Sequence, residues 1–268
     1  MSAAVVAIAG CGSSQRTDGR TSVVAAFYPL AYAAEQIGGA TVEVRNLTPP
    51  GAEPHDVELS PRDVEALRSA DVVLYLGGGF QPAVEQAVAG AGGTVVDLLP
   101  GLAAGDDPHV WLDPVRYASL AGAVGRALAR PSASLQARAR ALDTDFRTAL
   151  ARCNRRELVT SHAAFGYLAR RYGLEQIALT GLSPDAEPNA KRIETLVRRV
   201  RGSGATTVFS ERLVSAALAG TVAREAGARV AVLDPLEGLT ADNADRGEDY
   251  FTIMHANLAA LREGLGCH

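Results

Sequence analysis

Short strand-like segments alternate with helical patterns along most of this chain, and that alternation constrains the fold more than any other feature. Strands separated by helices are typical of βαβ units with parallel sheets. The pattern predicts an α/β fold of two lobes with mainly parallel sheets. Its strands are "SVVAAF", "VEVRNL", "DVVLYL" and "TVVDLL" in the first half and "ELVTS", "EQIALT", "TTVFS" and "RVAVLD" in the second.

Two helical patterns lie almost back to back between these halves. The second, "SASLQARARALDTDFRTALARC", contains neither Gly nor Pro, and its apolar residues are spaced by three or four, as on one face of a helix. It predicts one long rigid helix over residues 132–154 that bridges two α/β lobes, 22–131 and 155–268.

Composition excludes several classes of protein. A chain of 268 residues with 47% hydrophobic residues can bury a full core. Its 26 basic and 30 acidic residues nearly balance, so a nucleic-acid partner is not expected. No apolar run approaches the roughly 20 residues that span a bilayer.

The N-terminal segment "AAVVAIAGCGSS" has the features of the end of a signal peptide. Ile8, Ala9, Gly10 and Cys11 resemble a bacterial lipobox, whose cysteine becomes lipidated. Residues 1–21 are therefore interpreted as a signal-peptide remnant, a lipobox and a flexible tether, with Cys11 as the lipid anchor. The apolar run is short and no Lys or Arg precedes it, so a frayed N-terminus with a free thiol is the alternative.

Lipidation of Cys11 leaves two cysteines, Cys153 and Cys267. An even remainder suits an oxidising, exported setting, and we predict one disulfide between them. Two unpaired thiols are the alternative.

Three of the five histidines share one position relative to the predicted strands. His55, His109 and His162 each follow the carboxyl end of a strand, and Asp234 follows another in the same way. Ligands of open parallel sheets are held at that edge. Three imidazoles and one carboxylate suit Zn²⁺, and less tightly Mn²⁺, so these four side chains are predicted to bind one ion per chain in a cleft between the lobes.

Other polar residues near these segments have weaker predicted roles. Glu211 follows the strand "TTVF" and can accept a hydrogen bond from a ligand imidazole, replace Asp234 or water as a ligand, or cap the next helix. Asp113 is expected to cap a helix, and Trp111 to pack under His109. His255 and His268 are expected to be structural or at the surface.

An enzyme is the less favoured class. Four protein ligands close the coordination shell of zinc, whereas catalytic sites commonly use three. The chain lacks the H-E-x-x-H and G-x-S-x-G motifs and a phosphate-binding loop. A metal-dependent hydrolase with Asp234 or Glu211 as the general base is one alternative, and an exported adhesin with a structural metal is another.

Four segments resemble a known family: "PGAEPHDVELSPRDVEALRSADVVLYLGGGF", "DPHVWLDP", "VTSHAAFGYLARRYGL" and "VLDPLEG". They are similar to the metal-binding lipoproteins of bacterial zinc and manganese ABC transporters, the ZnuA/TroA-like cluster A-I group. The resemblance implies two α/β lobes bridged by one long helix, with metal ligands at His55, His109, His162 and Asp234. In manganese-preferring members the third position tends to be Glu, so His162 favours zinc over manganese.

The same resemblance implies a transport role. The chain would be a monomeric, extracytoplasmic solute-binding protein, held on the outer face of the bacterial cytoplasmic membrane or periplasmic. It would capture zinc and deliver it to an ABC permease and its ATPase. Many zinc members carry a long loop rich in His and acidic residues before "DPHVW", whereas this chain has only "PGLAAGDD" there, so auxiliary metal capture is not expected.

Overall fold

Two four-stranded parallel sheets form the framework of the protein. The computed structural model describes residues 19–184 and 188–268, so Cys11 and the proposed lipobox lie outside the described residues. The two-lobed α/β fold and all eight strands are confirmed. The first sheet has the order β2-β1-β3-β4 and the second β6-β5-β7-β8. The strands are β1 (Thr21–Ala25), β2 (Val42–Asn46), β3 (Val72–Tyr75), β4 (Thr94–Asp97), β5 (Glu157–Thr160), β6 (Glu175–Ala178), β7 (Thr207–Ser210) and β8 (Arg229–Val232).

Helices connect these strands and cover the sheets. The helices that the alternating pattern predicted between the strands are confirmed, and one further helix, α9, has only five residues, too few to show a helical period. The helices are α1 (Tyr28–Gly38), α2 (Pro61–Ser69), α3 (Pro82–Ala87), α4 (Pro114–Ala127), α5 (Ala133–Ala149), α6 (Gly166–Tyr172), α7 (Ala190–Ser203), α8 (Ala217–Ala226), α9 (Ala241–Asp245) and α10 (Tyr250–Leu265).

The strand order of each sheet creates a crevice at its carboxyl edge. In the first sheet the chain passes from β1 to β2 on one side and then to β3 on the other. The second sheet repeats this order from β5 to β6 and then to β7. Loops that leave the carboxyl ends of strands meet at such a reversal point, which is where open α/β sheets hold ligands.

Helix α5 is the helical segment predicted between the lobes. Its buried residues Leu135, Ala139, Leu142 and Phe146 form the expected apolar face. That face packs on α4 and α1 of the first half and on α10 of the second. Helix α5 therefore contacts both halves of the chain, while the exact lobe boundaries at 131 and 154 remain predictions.

One hydrophobic core runs through both halves. Phe27, Phe80 and Trp111 of the first half belong to the same buried cluster as Phe165 and Tyr250 of the second. Trp111 is completely buried and donates its indole N–H to the carbonyl of Pro235 at 2.7 Å. A wide separation of the sheets would expose this core to water, so the two halves are held as one packed unit.

The predicted disulfide between Cys153 and Cys267 is confirmed. Cys153 lies just after α5, and Cys267 just after α10. The backbone N–H of Asn154 donates to the carbonyl of Gly266 at 3.2 Å beside it. The bridge thus ties the C-terminal end of the chain to the start of the second half. No helix in residues 19–184 and 188–268 has the length and apolar character to cross a membrane.

Candidate metal centre

The three predicted histidines converge at the carboxyl edges of the two sheets. His55 lies in a single helical turn, Pro54–Asp56, after β2, and His109 opens another, Val110–Leu112, after β4. His162 follows β5 by two residues. All three rings lie within 6.0 Å of one another, measured between centroids. The topology has therefore brought together residues that are more than 50 positions apart in the chain.

The fourth member of this group is Glu237, which the sequence did not indicate. Its Oε1 lies 3.2 Å from His109 Nε2, 3.2 Å from His162 Nε2 and 3.4 Å from His55 Nε2. The two Nε2 atoms of His109 and His162 are 3.3 Å apart. One donor atom from each of the four residues lies within 4.8 Å of the other three.

These distances match the edges of a zinc tetrahedron. Bonds of about 2.0 to 2.1 Å place neighbouring ligand atoms about 3.3 to 3.4 Å apart. The site also contains buried polar atoms without hydrogen-bond partners, namely His55 Nε2 and Glu237 Oε2. Because an unsatisfied buried acceptor or imidazole nitrogen is costly, both atoms fit a cation that would occupy the space between them.

Two further carboxylates orient the histidine rings. Asp107 Oδ1 accepts from both the backbone N–H and the Nδ1 of His109, at 3.0 and 2.9 Å. Glu211 Oε1 accepts in the same way from His162, at 3.1 and 2.7 Å. A proton held on Nδ1 leaves the lone pair of Nε2 free for a metal, which is how carboxylate-histidine pairs support metal ligands. Glu211 therefore contacts His162 on the side of the ring that faces away from the donor group, which is complete without it.

Burial and hydrogen bonding oppose each other at these histidines. Burial lowers the pKa of His162, but its hydrogen bonds to Glu211 and Glu237 outweigh burial and raise the pKa to about 10. The pKa of His109 is also raised, because hydrogen bonds to Asp107 and Glu237 outweigh the effect of burial. A metal must displace these protons before it can bind.

The two glutamates of the site have opposite shifts. Although burial opposes ionisation, hydrogen bonds from His109 and His162 and the nearby ring of His55 hold the pKa of Glu237 well below its usual range. Burial and the nearby charge of Glu237 raise the pKa of Glu53 to about 8. Glu53 Oε1 accepts the backbone N–H of His55 at 3.3 Å, and its Oε2 is buried without a partner.

The structure places Asp234, which was predicted as the fourth ligand, outside the donor group. Asp234 Oδ1 accepts the backbone N–H of Leu236 at 2.8 Å, and its Oδ2 pairs with Arg212 Nε at 3.3 Å. Its carboxylate is therefore used in closing a turn. Leu236 adopts a left-handed conformation with φ of 55°, and this reversal directs the next residue, Glu237, toward the histidines.

A local signal for the turn at Asp234 is present in the sequence. The tripeptide Leu-Asp-Pro occurs twice, at 112–114 and 233–235. Asp113 was expected to cap a helix, and it accepts the N–H of Val115, two residues later, at 3.0 Å, as Asp234 does with Leu236. An aspartate that bonds the backbone two residues on is an Asx turn. The same reasoning applied to Asp234 would have assigned it to the turn.

The remaining predicted residues lie around the site or away from it. The ring of Trp111 packs against that of His109 with centroids 5.1 Å apart, as expected. Asp113 caps α4 and pairs with Arg171 of the second half. His255 lies on α10 with about half of its side chain exposed, and neither it nor His268 belongs to the donor group.

The chain is similar to known zinc-binding proteins. The chain is 33% identical over 291 residues to the zinc-binding lipoprotein AdcA of Streptococcus pneumoniae, a match that covers 96% of this chain and 58% of AdcA. It is 31% identical over 306 residues to the high-affinity zinc uptake system protein ZnuA of Bacillus subtilis, covering 99% of this chain and 96% of that protein. The Zn(II)-bound ZnuA-like domain of S. pneumoniae AdcA superimposes with a TM-score of 0.81 at 34% identity, over 92% of this chain and 99% of that domain.

The AdcA proteins are longer than this chain, which spans 56% to 58% of their length. Residues 23–264 match the family described as "Zinc-uptake complex component A periplasmic". Since that match covers nearly all of the 268 residues, the chain belongs to the ZnuA family.

Proposed function

We propose that this protein captures one Zn²⁺ ion outside the cytoplasm and delivers it to an ABC permease for import. The observation that carries the proposal is the group of four donors, His55, His109, His162 and Glu237, in which four of the six distances between donor atoms, at 3.2 to 3.4 Å, match the edges of a zinc tetrahedron. Membership of a family described as a zinc-uptake component supports the same role.

The donor chemistry favours zinc over manganese. Three imidazole nitrogens and a single carboxylate are borderline donors that suit zinc, whereas manganese prefers more oxygen ligands and a higher coordination number. Glu211 Oε1 accepts two hydrogen bonds from His162, so this oxygen is engaged in orienting the His162 ring. Manganese is expected to bind more weakly at the same position.

A hydrolase is not supported by this site. Four protein donors fill a tetrahedral shell and leave no position for an activated water. The general bases that sequence reasoning considered, Asp234 and Glu211, are engaged by Leu236 and His162 respectively. The family is described as an uptake component, not as an enzyme.

The membrane and transport partners follow from the family. Its description is periplasmic, and the S. pneumoniae relative is named a lipoprotein. We extend both properties to this chain: Cys11 carries the lipid, the protein acts as a monomer on the outer face of the cytoplasmic membrane, and the permease and its ATPase accept the zinc.

A calorimetric titration of purified protein tests the metal assignment. His109→Ala is expected to lower zinc affinity by orders of magnitude with the fold intact, because it removes a donor from the centre of the group. His255→Ala is the matched control, since it removes an exposed histidine outside that group. Elemental analysis after expression without added metal should find one zinc per chain. Equal affinities for the two variants, or a stronger response to manganese, would contradict the proposal.

A further inference from the structure

The carboxylate that holds His109 is itself held from the other half of the protein. Asp107 lies in the loop after β4, and its Oδ1 accepts from two nitrogens of His109. Its Oδ2 faces α6 of the second half, where it approaches Gly166 and the guanidinium of Arg170, 3.7 Å away. Arg170 is largely exposed, so this ion pair alone contributes little.

Gly166 permits the close approach of this carboxylate. A Cβ atom built on Gly166 would lie 2.8 Å from Asp107 Oδ2, closer than real Cβ contacts allow. The backbone of Gly166, with φ of −59° and ψ of −43°, is ordinary helix that any residue can adopt. The conformation of α6 would allow a side chain at position 166, but that side chain would push the Asp107 carboxylate and the Arg170 guanidinium from their present positions.

Tyr167, the next residue of α6, holds the backbone of the same loop. Its hydroxyl donates to the carbonyl of Asp107 at 2.9 Å and accepts the N–H of Ala104 at 2.8 Å. The ring is buried between the guanidinium groups of Arg116 and Arg170, whose Cζ atoms lie 4.3 and 4.6 Å from its centroid. The two arginines hold the ring of Tyr167 in place, so its hydroxyl can hold the 104–107 loop.

We propose that Gly166 and Tyr167 are positioning residues for zinc that act through Asp107 on the orientation of His109. This inference rests on the proposed function. Helix α6 of the second half would thus control the orientation of His109 in the first half. The His109 Nε2 would point at the ion only while the two halves remain in contact. Any movement that withdraws α6 from the 104–107 loop would weaken zinc binding by releasing His109.

Tyr167→Phe tests the hydroxyl while it keeps the ring between its two arginines. Loss of a residue that supports a metal ligand typically lowers affinity by about 10- to 100-fold, and we expect at least about tenfold here. In ¹⁵N-histidine-labelled, zinc-loaded protein, the Nδ1 proton of His109 should exchange faster with water than in the wild type. A purely structural role for Tyr167 would leave that exchange unchanged.

A double-mutant cycle with Asp107→Asn tests whether the effect passes through Asp107. If it does, the losses in zinc affinity of the two single variants should not add in the double variant, since both changes weaken the same support of His109 by Asp107. Additive losses would overturn the inference.

Gly166→Ala is the second variant, and Gly202→Ala is its matched control. Both glycines lie in helices, but a Cβ on Gly202 would meet no atom within 4 Å. Only Gly166→Ala should weaken zinc binding and change the His109 signal. Equal binding by Tyr167→Phe, Gly166→Ala and wild type would overturn the positioning role while the proposed function stands. A wild type that fails to bind zinc would remove both.

Discussion

Replacement of Glu237 by Gln should nearly abolish tight zinc binding. Glu237 is fully buried, and its Oε1 lies within 3.4 Å of the Nε2 atoms of all three histidines in the donor group. Glutamine has almost the same volume, so packing is kept. The substitution removes the negative charge that offsets the positive charge of the ion. It also replaces a carboxylate oxygen with an amide oxygen, which is a weaker ligand for zinc.

The magnitude follows from the number of donors. Four-ligand zinc sites in small domains bind zinc with an apparent free energy of about 10 to 16 kcal/mol at neutral pH. An equal share for one of four donors is about 2.5 to 4 kcal/mol, which is about a 10²- to 10³-fold loss of affinity. Asp234→Asn is the matched control, because asparagine can still accept the N–H of Leu236 and only the contact with Arg212 is weakened. It should change zinc affinity by no more than about threefold, or about 0.7 kcal/mol.

Competitive titration against a chelating dye of known zinc affinity measures both variants on one scale. Unfolding in urea without metal checks that each variant is folded. The opposite order, with Asp234→Asn weakening zinc binding and Glu237→Gln leaving it unchanged, would refute the assignment of Glu237 and restore that of Asp234.

Two further results are expected. Because the pKa of His162 is raised to about 10, zinc must displace its proton at neutral pH, so affinity should rise with pH up to about 10, by up to about tenfold per pH unit for each proton released. Calorimetry in two buffers of different ionisation enthalpy measures the number of protons released when zinc binds. If no proton were released at pH 7, the raised pKa of His162 would be contradicted. By the same shift, the contribution of His162 to the stability of the metal-free protein is complete below about pH 6.5 and is lost as the pH rises through about 10. Reduction of the Cys153–Cys267 disulfide, which closes a separation of 114 residues, should lower the free energy of unfolding by about 2 to 5 kcal/mol and leave zinc affinity unchanged. A urea midpoint that is the same in both redox states would argue against it.

The fold was largely predictable because its signals are local. The strands are short segments that contain Val, Leu, Ile or Ala, and each longer helix shows its own apolar spacing, so neighbours in the chain carry the information. Helix starts were equally readable: Ser60 caps α2 by accepting the N–H of Asp63, whose carboxylate accepts the N–H of Ser60 in return. The short α9 escaped because its five residues hold little more than one turn.

The donor group was predictable only in part. His55 and His109 each follow an acid-Pro pair, and in both cases the acid accepts the histidine N–H, which is a local turn that the sequence displays. Glu237 offered no such signal, because its role depends on the reversal at Leu236 and on contacts with histidines at least 75 residues away. The contact of Asp107 with α6 was not predictable either, since that helix comes from the second half of the chain.

The sequence by itself determined the elements, their parallel arrangement and the strand ends that carry the histidines, since these follow from spacing and turn chemistry over a few residues. Only the tertiary structure decided which carboxylate completes the donor group and which residues orient the rings. A donor must reach within a few tenths of an ångström of its partners, and that precision is set by packing between distant segments. The shared core around Trp111 and the contact of α6 with Asp107 supply that packing here.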